Sequence, residues 1–377
     1  MKNAIVWGLS SGLVLFCVSW AYIGNGDPKT MHELRKVYEG PIENWPKPQL
    51  DSGIAFHELG LLPENPYRSA DSLKPVIELG KMLFFDPKLS SSNQISCASC
   101  HDPEFNWSNG RSVAIGHDQQ QGKRNAMSLE NSWMHKELFW DGRAASLEEQ
   151  ASMPISDPIE MHSNIQDVVN KIASIKSYHP LFENAFPGQP IDHKHITSAI
   201  AFFQRSLVSR KSDFDYFLEG KHERMSDQQI RGLHLFRTKA RCMNCHNGPN
   251  FTDEEFHNLG LHYYGRKLED LGRYNITHAP EDIGKFRTPS LRNVMETAPW
   301  MHNGIFDNMD GILNMYDAGM ARPKPRPGLE NDPNFPVTSD LLIKLDLSQA
   351  EKEDIIAFLE SISAKSFRMS RPEVPRD

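Results

Sequence analysis

The order of apolar and polar residues along the chain is that of a helical protein. Leu73, Val76, Ile77, Leu83 and Phe84 recur at helical spacing behind Ser72, a residue type that caps helices, and Pro87 closes the segment. Ile165, Val168, Val169 and Ile172 form a second apolar stripe. Ile196 to Val208 reads as a third helix, leading toward a domain boundary. Ser226 with Gln229, and Ser348 with Glu351, have the spacing of capping boxes. The first precedes Leu233 and Phe236; the second precedes Ile355, Ile356, Leu359 and Ile362. No stretch alternates convincingly as a strand does. Five prolines fall between positions 321 and 337, which predicts a long loop. Most of these stripes need no reading beyond core packing.

The first 26 residues stand apart. Lys2 is followed by an uncharged, largely apolar stretch, Asn3 to Asn25, which Asp27 ends. A basic start, an apolar middle and Ser19-Trp20-Ala21 predict an export signal cleaved after Ala21. The stretch is also nearly long enough to stay as a membrane anchor, and a buried core helix is the bland alternative. Either of the first two places the rest of the chain in the periplasm. Cys17 lies here; the bulky Phe16 before it argues against lipid attachment, and it reads as an inert apolar residue.

Composition narrows the class. The chain has 377 residues, 39% of them hydrophobic and 24% charged. That excludes a polytopic membrane protein and argues against a wholly disordered one. The apolar share is somewhat low, so a bound apolar cofactor could complete the core. Net charge −8 argues against a nucleic-acid partner. Five cysteines are too few for a disulfide scaffold.

The other four cysteines are explained by their spacing. Cys97-Ala98-Ser99-Cys100-His101 and Cys242-Met243-Asn244-Cys245-His246 are both C-x-x-C-H, the attachment signature of haem c. Two thiols add across the two vinyl groups of a porphyrin, and the next residue, histidine, reaches the iron. A zinc site built from both pairs would leave His101 and His246 unexplained. A redox dithiol lacks a surrounding thioredoxin-like pattern. Two covalently bound haem c groups are therefore expected. The chain also looks duplicated. Leu129, Asn131 and Gly142 align with Leu291, Asn293 and Gly304 at a constant offset of 162, and the two haem motifs are 145 apart. Two related domains, each around one haem, follow.

The run Phe139-Trp140-Asp141-Gly142-Arg143-Ala144 with Ser146-Leu147-Glu148-Glu149-Gln150, behind the first haem motif, resembles the bacterial di-haem cytochrome c peroxidases, a superfamily that includes the maturation enzyme MauG. The resemblance covers about Gly80 to Ile362. It implies a mainly α fold of two cytochrome c-like haem domains related by internal duplication, over 45–210 (peroxidatic) and 211–365 (electron transfer). It also implies roles. Glu160, twenty residues after Trp140, matches the catalytic glutamate that moves a proton during O–O cleavage, and Gln150 matches a glutamine of the same pocket. Trp140 matches the tryptophan between the haems. His101 and His246 are the proximal iron ligands. His117, sixteen residues after His101, stands where the peroxidases carry a displaceable sixth ligand. A calcium ion between the domains would be held by the Asn125 side chain and the carbonyls of Thr297 and Pro299.

One position departs from the peroxidase pattern. Those enzymes place a methionine fourteen residues after the His of a second-domain H-x-G motif; here the motif is His302-Asn303-Gly304 and the residue is Tyr316, as in MauG. A phenolate at the second iron would lower its potential, whereas methionine raises it. Packed Tyr316, with Met315 or Met320 as ligand, is the alternative.

Three functions remain at this point. One is a periplasmic peroxidase that reduces H₂O₂ to water with electrons from a small cytochrome c or cupredoxin, or from quinol if the chain is anchored. Another is a MauG-like enzyme that oxidises a protein or small substrate at a distance. The last is a non-catalytic electron carrier, against which Glu160 and Gln150 argue. The first is favoured; a homodimer is compatible with each.

Overall fold

The computed structural model describes residues 30–376. The expected signal or anchor over 1–26, with Cys17, lies outside them. Among the described residues no helix is long and apolar enough to cross a membrane. The architecture is mainly helical: α1 (Met31–Tyr38), α2 (Lys74–Phe85), α3 (Leu147–Ser156), α4 (Ile165–Ser174), α5 (His179–Ala185), α6 (His193–Arg205), α7 (Asp213–Leu218), α8 (Asp227–Arg237), α9 (Tyr274–Thr277), α10 (Met309–Asp317) and α11 (Gln349–Ser361). The one sheet among these residues is a two-stranded antiparallel ribbon, β1 (Phe256–His257) with β2 (Phe286–Arg287).

Several local expectations hold. The Ser226–Gln229 and Ser348–Glu351 capping boxes are both formed, and the Ile165–Ile172 stripe lies on α4. Positions 321–337 form a loop. Two boundaries differ. Ser72 does not cap α2; a 3₁₀ turn over Asp71–Leu73 runs straight into the helix. Pro75, in the first turn of α2, needs no amide partner there, so the entry is made without a side-chain cap. α6 begins at His193 because Asp192 caps it, and it stops at Arg205, short of Val208.

Apolar side chains gather mainly in two clusters. The first holds Leu83, Phe84, Ile172, Ile200 and Phe203, from α2, α4 and α6. The second holds Leu34, Phe236, Phe358 and Ile355, from α1, α8 and α11. Trp45 and Leu59, inside the 45–210 span expected for the first domain, pack in the second cluster. In the other direction, Met369 and Val374 of the C-terminal tail pack against the first cluster.

The same helix crossing occurs in both clusters. At Gly80 of α2, an added Cβ would lie 1.8 Å from the Ala199 carbonyl oxygen of α6. At Gly232 of α8 it would lie 1.9 Å from the Asp354 carbonyl oxygen of α11. Glycine is what lets each pair of backbones approach so closely. Beside the crossings, Phe84 meets Phe203 and Phe236 meets Phe358, each at 5.1 Å between ring centroids and 59°. The backbone bridges Leu138–Ala144 and Trp300–Phe306 are related by the 162-residue offset seen in the sequence.

Candidate active site

Each C-x-x-C-H motif forms one 3₁₀ turn, Cys97–Ser99 and Cys242–Asn244. The turn carries the following histidine, whose amide bonds back to the first cysteine's carbonyl, at 3.0 Å for His101 and 2.8 Å for His246. His101 Nδ1 lies 3.0 Å from the Trp107 carbonyl oxygen, and His246 Nδ1 lies 3.0 Å from that of Phe251. A carbonyl can only accept, so Nδ1 carries the proton and Nε2 is left as a metal-binding atom. Burial holds both imidazoles below their usual range, in the neutral form a ligand needs. The four cysteines are not joined in disulfides. Burial pushes Cys97 and Cys242 up to about 12 and Cys100 to about 11.

A cavity of about 250 Å³ adjoins the second motif, against roughly 10–15 Å³ for one water on the same measure. Cys242, Cys245, His246 and Tyr316 line it. Tyr316 is delivered by α10, near enough for the two thiols to act on it, and burial pushes its phenol well above the usual range. Met315 and Met320 are not among the lining residues. Arg241 also lines the cavity, and its buried Nε has no partner. These features fit a haem: two thiols, a histidine with a free Nε2, an apolar enclosure and an orphaned donor for an anionic edge.

At the first motif, Glu160 lines a second cavity with Arg143, Met153, Pro154, Ser156 and Asp157. Burial, then the nearby Asp157 charge, raises its carboxyl above the usual range, and Arg143 opposes them. The Glu160 charge in turn acts on Cys97 and Cys100, which places it beside the first haem motif. Gln150 is not in that cavity wall; its Oε1 accepts from Gln204 Nε2 at 3.2 Å. His117 donates its amide to the Ile159 and Glu160 carbonyls at 2.8 and 2.9 Å. Its ring meets His162 edge-on at 4.6 Å, and its Nε2 lies 3.3 Å from Asp118.

Trp140, Asn125, Thr297 and Pro299 also line the cavity at the second motif. Trp140 Nε1 donates to the Asn125 carbonyl at 3.0 Å, and the Asn125 amide donates to the His302 carbonyl at 2.7 Å. His302, kept down to about 4 by burial, stacks on Phe286 at 3.6 Å and meets Trp140 edge-on at 6.4 Å. His302 had no assigned role in the sequence, although it lies 162 residues after Trp140. Near the second motif, Cys245, Asp253 and His257 cluster within 4.8 Å. Burial works against a charged His257, but Asp253 and the Cys245 sulfur outweigh it and push it up to about 10. Such a trio can bind a metal, yet here its sulfur belongs to the C-x-x-C-H turn.

The comparisons with known proteins bear on this arrangement. The family described as di-haem cytochrome c peroxidase matches residues 74–223. The methylamine utilization protein MauG of Methylorubrum extorquens is 37% identical over 316 residues, 82% of this chain and 84% of that protein. The chain belongs to the di-haem cytochrome c peroxidase/MauG family. Cytochrome c551 peroxidase of Pseudomonas aeruginosa is 34% identical over 308 residues, 79% of this chain and 81% of that protein. A crystal structure of a MauG-like protein associated with microbial copper homeostasis has a TM-score of 0.69 and 31% identity, covering 83% of this chain and 95% of that one. The protein is thus an oxidoreductase of the cytochrome c peroxidase type with the family's fold. Membership implies two haem c groups, and the two C-x-x-C-H motifs are the places for them. Relatives bearing the peroxidase and MauG names match at similar identity, so family membership leaves the choice between those activities to the site.

Proposed function

We propose that the protein is a periplasmic di-haem peroxidase that reduces H₂O₂ to water with electrons from a small cytochrome c or cupredoxin, or from quinol if its N-terminus is an anchor. The observation that carries this reading is Glu160: a half-buried carboxyl with a raised pKa, in a cavity beside the first haem motif. When bound, the two haems supply the redox chemistry, the first meeting peroxide and the second receiving donor electrons. Cys97 and Cys100 would hold the first haem with His101 as proximal ligand, and Cys242, Cys245 and His246 the second. Glu160 takes a proton from one peroxide oxygen and returns it to the other. A carboxyl raised toward neutrality is suited to both halves of that transfer. The Arg143 charge opposes that rise. In this reading Gln150 is a neighbour of the pocket held by Gln204, and His117, tied to the Glu160 segment, is the displaceable ligand. Trp140 passes electrons between the sites. Asn125, Thr297 and Pro299 hold Ca²⁺ with waters, an oxygen donor set that suits this hard cation. The recurring glycine crossings and the 162-residue offset support a duplicated pair of haem domains.

The test is Glu160→Gln, which keeps the shape and removes the ionisable group. Both haems and their spectra should be retained, while peroxide turnover falls by about 10²–10⁴, the usual share of general acid–base assistance. Turnover near the parental rate would remove Glu160 from the mechanism.

Tyr316 favours a second reading. An anionic oxygen ligand at the second haem would stabilise its oxidised state and let oxidising equivalents be shared across both sites. The enzyme would then oxidise a protein or small substrate at a distance, as MauG-type chemistry requires. Its placement in the cavity at the second haem motif, near Cys242 and Cys245, supports this reading.

A further inference from the structure

Trp140 sits in a turn gripped by residues from the far half of the chain. Phe139, just before it, has φ +67°, a left-handed conformation that a bulky residue adopts only where its surroundings enforce it. The Arg287 amide of β2 donates to the Trp140 carbonyl at 2.8 Å. Arg287 Nε donates to the Phe139 carbonyl at 3.3 Å. The Arg143 guanidinium lies 3.5 Å from the centre of the Phe139 ring.

Arg287 is 2% exposed. Taking a guanidinium out of water is costly unless its donors are used and its charge is balanced. Glu254 supplies the balance at 3.5 Å and accepts from His135 Nδ1 at 2.6 Å. His135 belongs to the first half of the chain; Glu254 and Arg287 belong to the second. The two charged groups and the buried His135 imidazole thus close across the junction, and one product of that closure is a donor aimed at the strained Phe139–Trp140 peptide.

We propose that Arg287, held by Glu254 and His135, is a positioning residue that fixes Trp140 between the two haem sites. The inference rests on the reading of Trp140 as the electron stepping stone. In that step one electron leaves the second site, which is oxidised, and arrives at the first, which is reduced. The indole returns unchanged with its N–H still on the Asn125 carbonyl, so no proton moves at this residue. Arg287 contributes geometry only.

The test uses holoprotein carrying Arg287→Lys. Lysine keeps the charge facing Glu254 but has no Nε–H to place on the Phe139 carbonyl. With the second haem pre-reduced, mixing with H₂O₂ in a stopped-flow instrument follows its reoxidation. Hydrogen exchange of the amides over 138–144 is measured in parallel. The expected result is transfer slowed about ten- to a hundredfold, the scale of a misplacement near 1 Å, with faster exchange over 138–144. The spectra and potentials of both haems should stay parental, which general structural damage would not leave intact. Parental transfer and exchange in Arg287→Lys would overturn the proposal. Should that variant yield no holoprotein, His135→Asn loosens Glu254 without touching Phe139 and should slow transfer by a smaller factor; parental transfer there overturns the clamp as well. Trp140→Phe separates the two ideas. Slow transfer in Trp140→Phe beside parental transfer in Arg287→Lys rejects only the clamp. Parental transfer in Trp140→Phe rejects the stepping stone and the clamp's role with it.

Discussion

Tyr316 and Glu160 are both half-buried acids whose protonated forms are favoured by desolvation, yet they serve opposite ends of the proposed reaction. Glu160 has Asp157 and Arg143 around it, one raising and one lowering its pKa, so it remains able to exchange a proton. Tyr316 has only burial and two thiols, all of which raise its pKa. A neutral phenol facing an apolar cavity is a poor base, and a ferric iron is what would draw its proton off. Tyr316→Met tests this. If the phenol oxygen is the ligand, replacing it by a neutral thioether should raise the potential of the second haem, because thioether favours the ferrous state. A redox titration of parent and variant reads the shift. An unmoved potential and ferric spectrum would make Tyr316 a packed aromatic and would remove the distance-oxidation reading.

At the level of elements, two glycine crossings set how each pair of long helices meets. α8 and α11 touch where Gly232 faces the Asp354 carbonyl, and α2 and α6 where Gly80 faces that of Ala199. Gly232→Ala pits two effects against each other. Alanine gains about 1 kcal/mol of helix propensity. Its Cβ, however, would sit 1.9 Å from a backbone oxygen that no side-chain rotation can move. Overpacking of this kind costs about 1–3 kcal/mol and more where backbone must shift, so the clash outweighs the propensity. Denaturant unfolding of the variant should show a net loss of stability; a gain would mean the helices separate freely. The caps at Ser226 and Ser348 were readable because a capping box is local chemistry, complete within four residues. The crossing points were not, since an interior glycine shows its purpose only when another backbone lies against it.

On the scale of the whole molecule, the halves are joined by buried charge as well as by apolar surface. Arg124 pairs with Asp141 at 2.6 Å in its own half and with Asp270 at 2.7 Å in the other. The tail returns across the junction: Ser366 bonds Glu130, and Asn106 donates to the Ala364 carbonyl at 2.9 Å. Breaking a buried pair leaves an uncompensated charge, at a cost of about 3–5 kcal/mol. Arg124→Met should fall at the lower end, because Asp141 keeps Arg143 at 3.0 Å while Asp270 loses its cation. Adding Asp270→Asn should recover much of the loss. Equal stability of the single and double variants would show that the pair does not couple the halves.

The sequence by itself determined the chemistry and most of the helical framework. C-x-x-C-H is a local code, so both haem motifs and their histidines were legible from spacing, while Glu160, Trp140 and Tyr316 were put forward by the family resemblance and their roles are proposals. Periodicity and caps located α2, α4, α6, α8 and α11, with boundary errors where a 3₁₀ turn replaced a cap, where an earlier aspartate supplied one, and at the end of α6, which stops at Arg205. The tertiary structure alone decided what meets what. Trp45 and Leu59 pack with residues of the second half, which the sequence could not show because apolar residues carry no address for the core they join. Gln150 was expected in the Glu160 pocket, and the turn of α3 set it on Gln204 instead. His302 and Arg287 are far from Trp140 in sequence and meet it, with Phe286 stacked behind His302, only through the ribbon and the 162-residue repeat. Contacts between distant segments depend on how whole elements pack, and no window of sequence contains both sides of them.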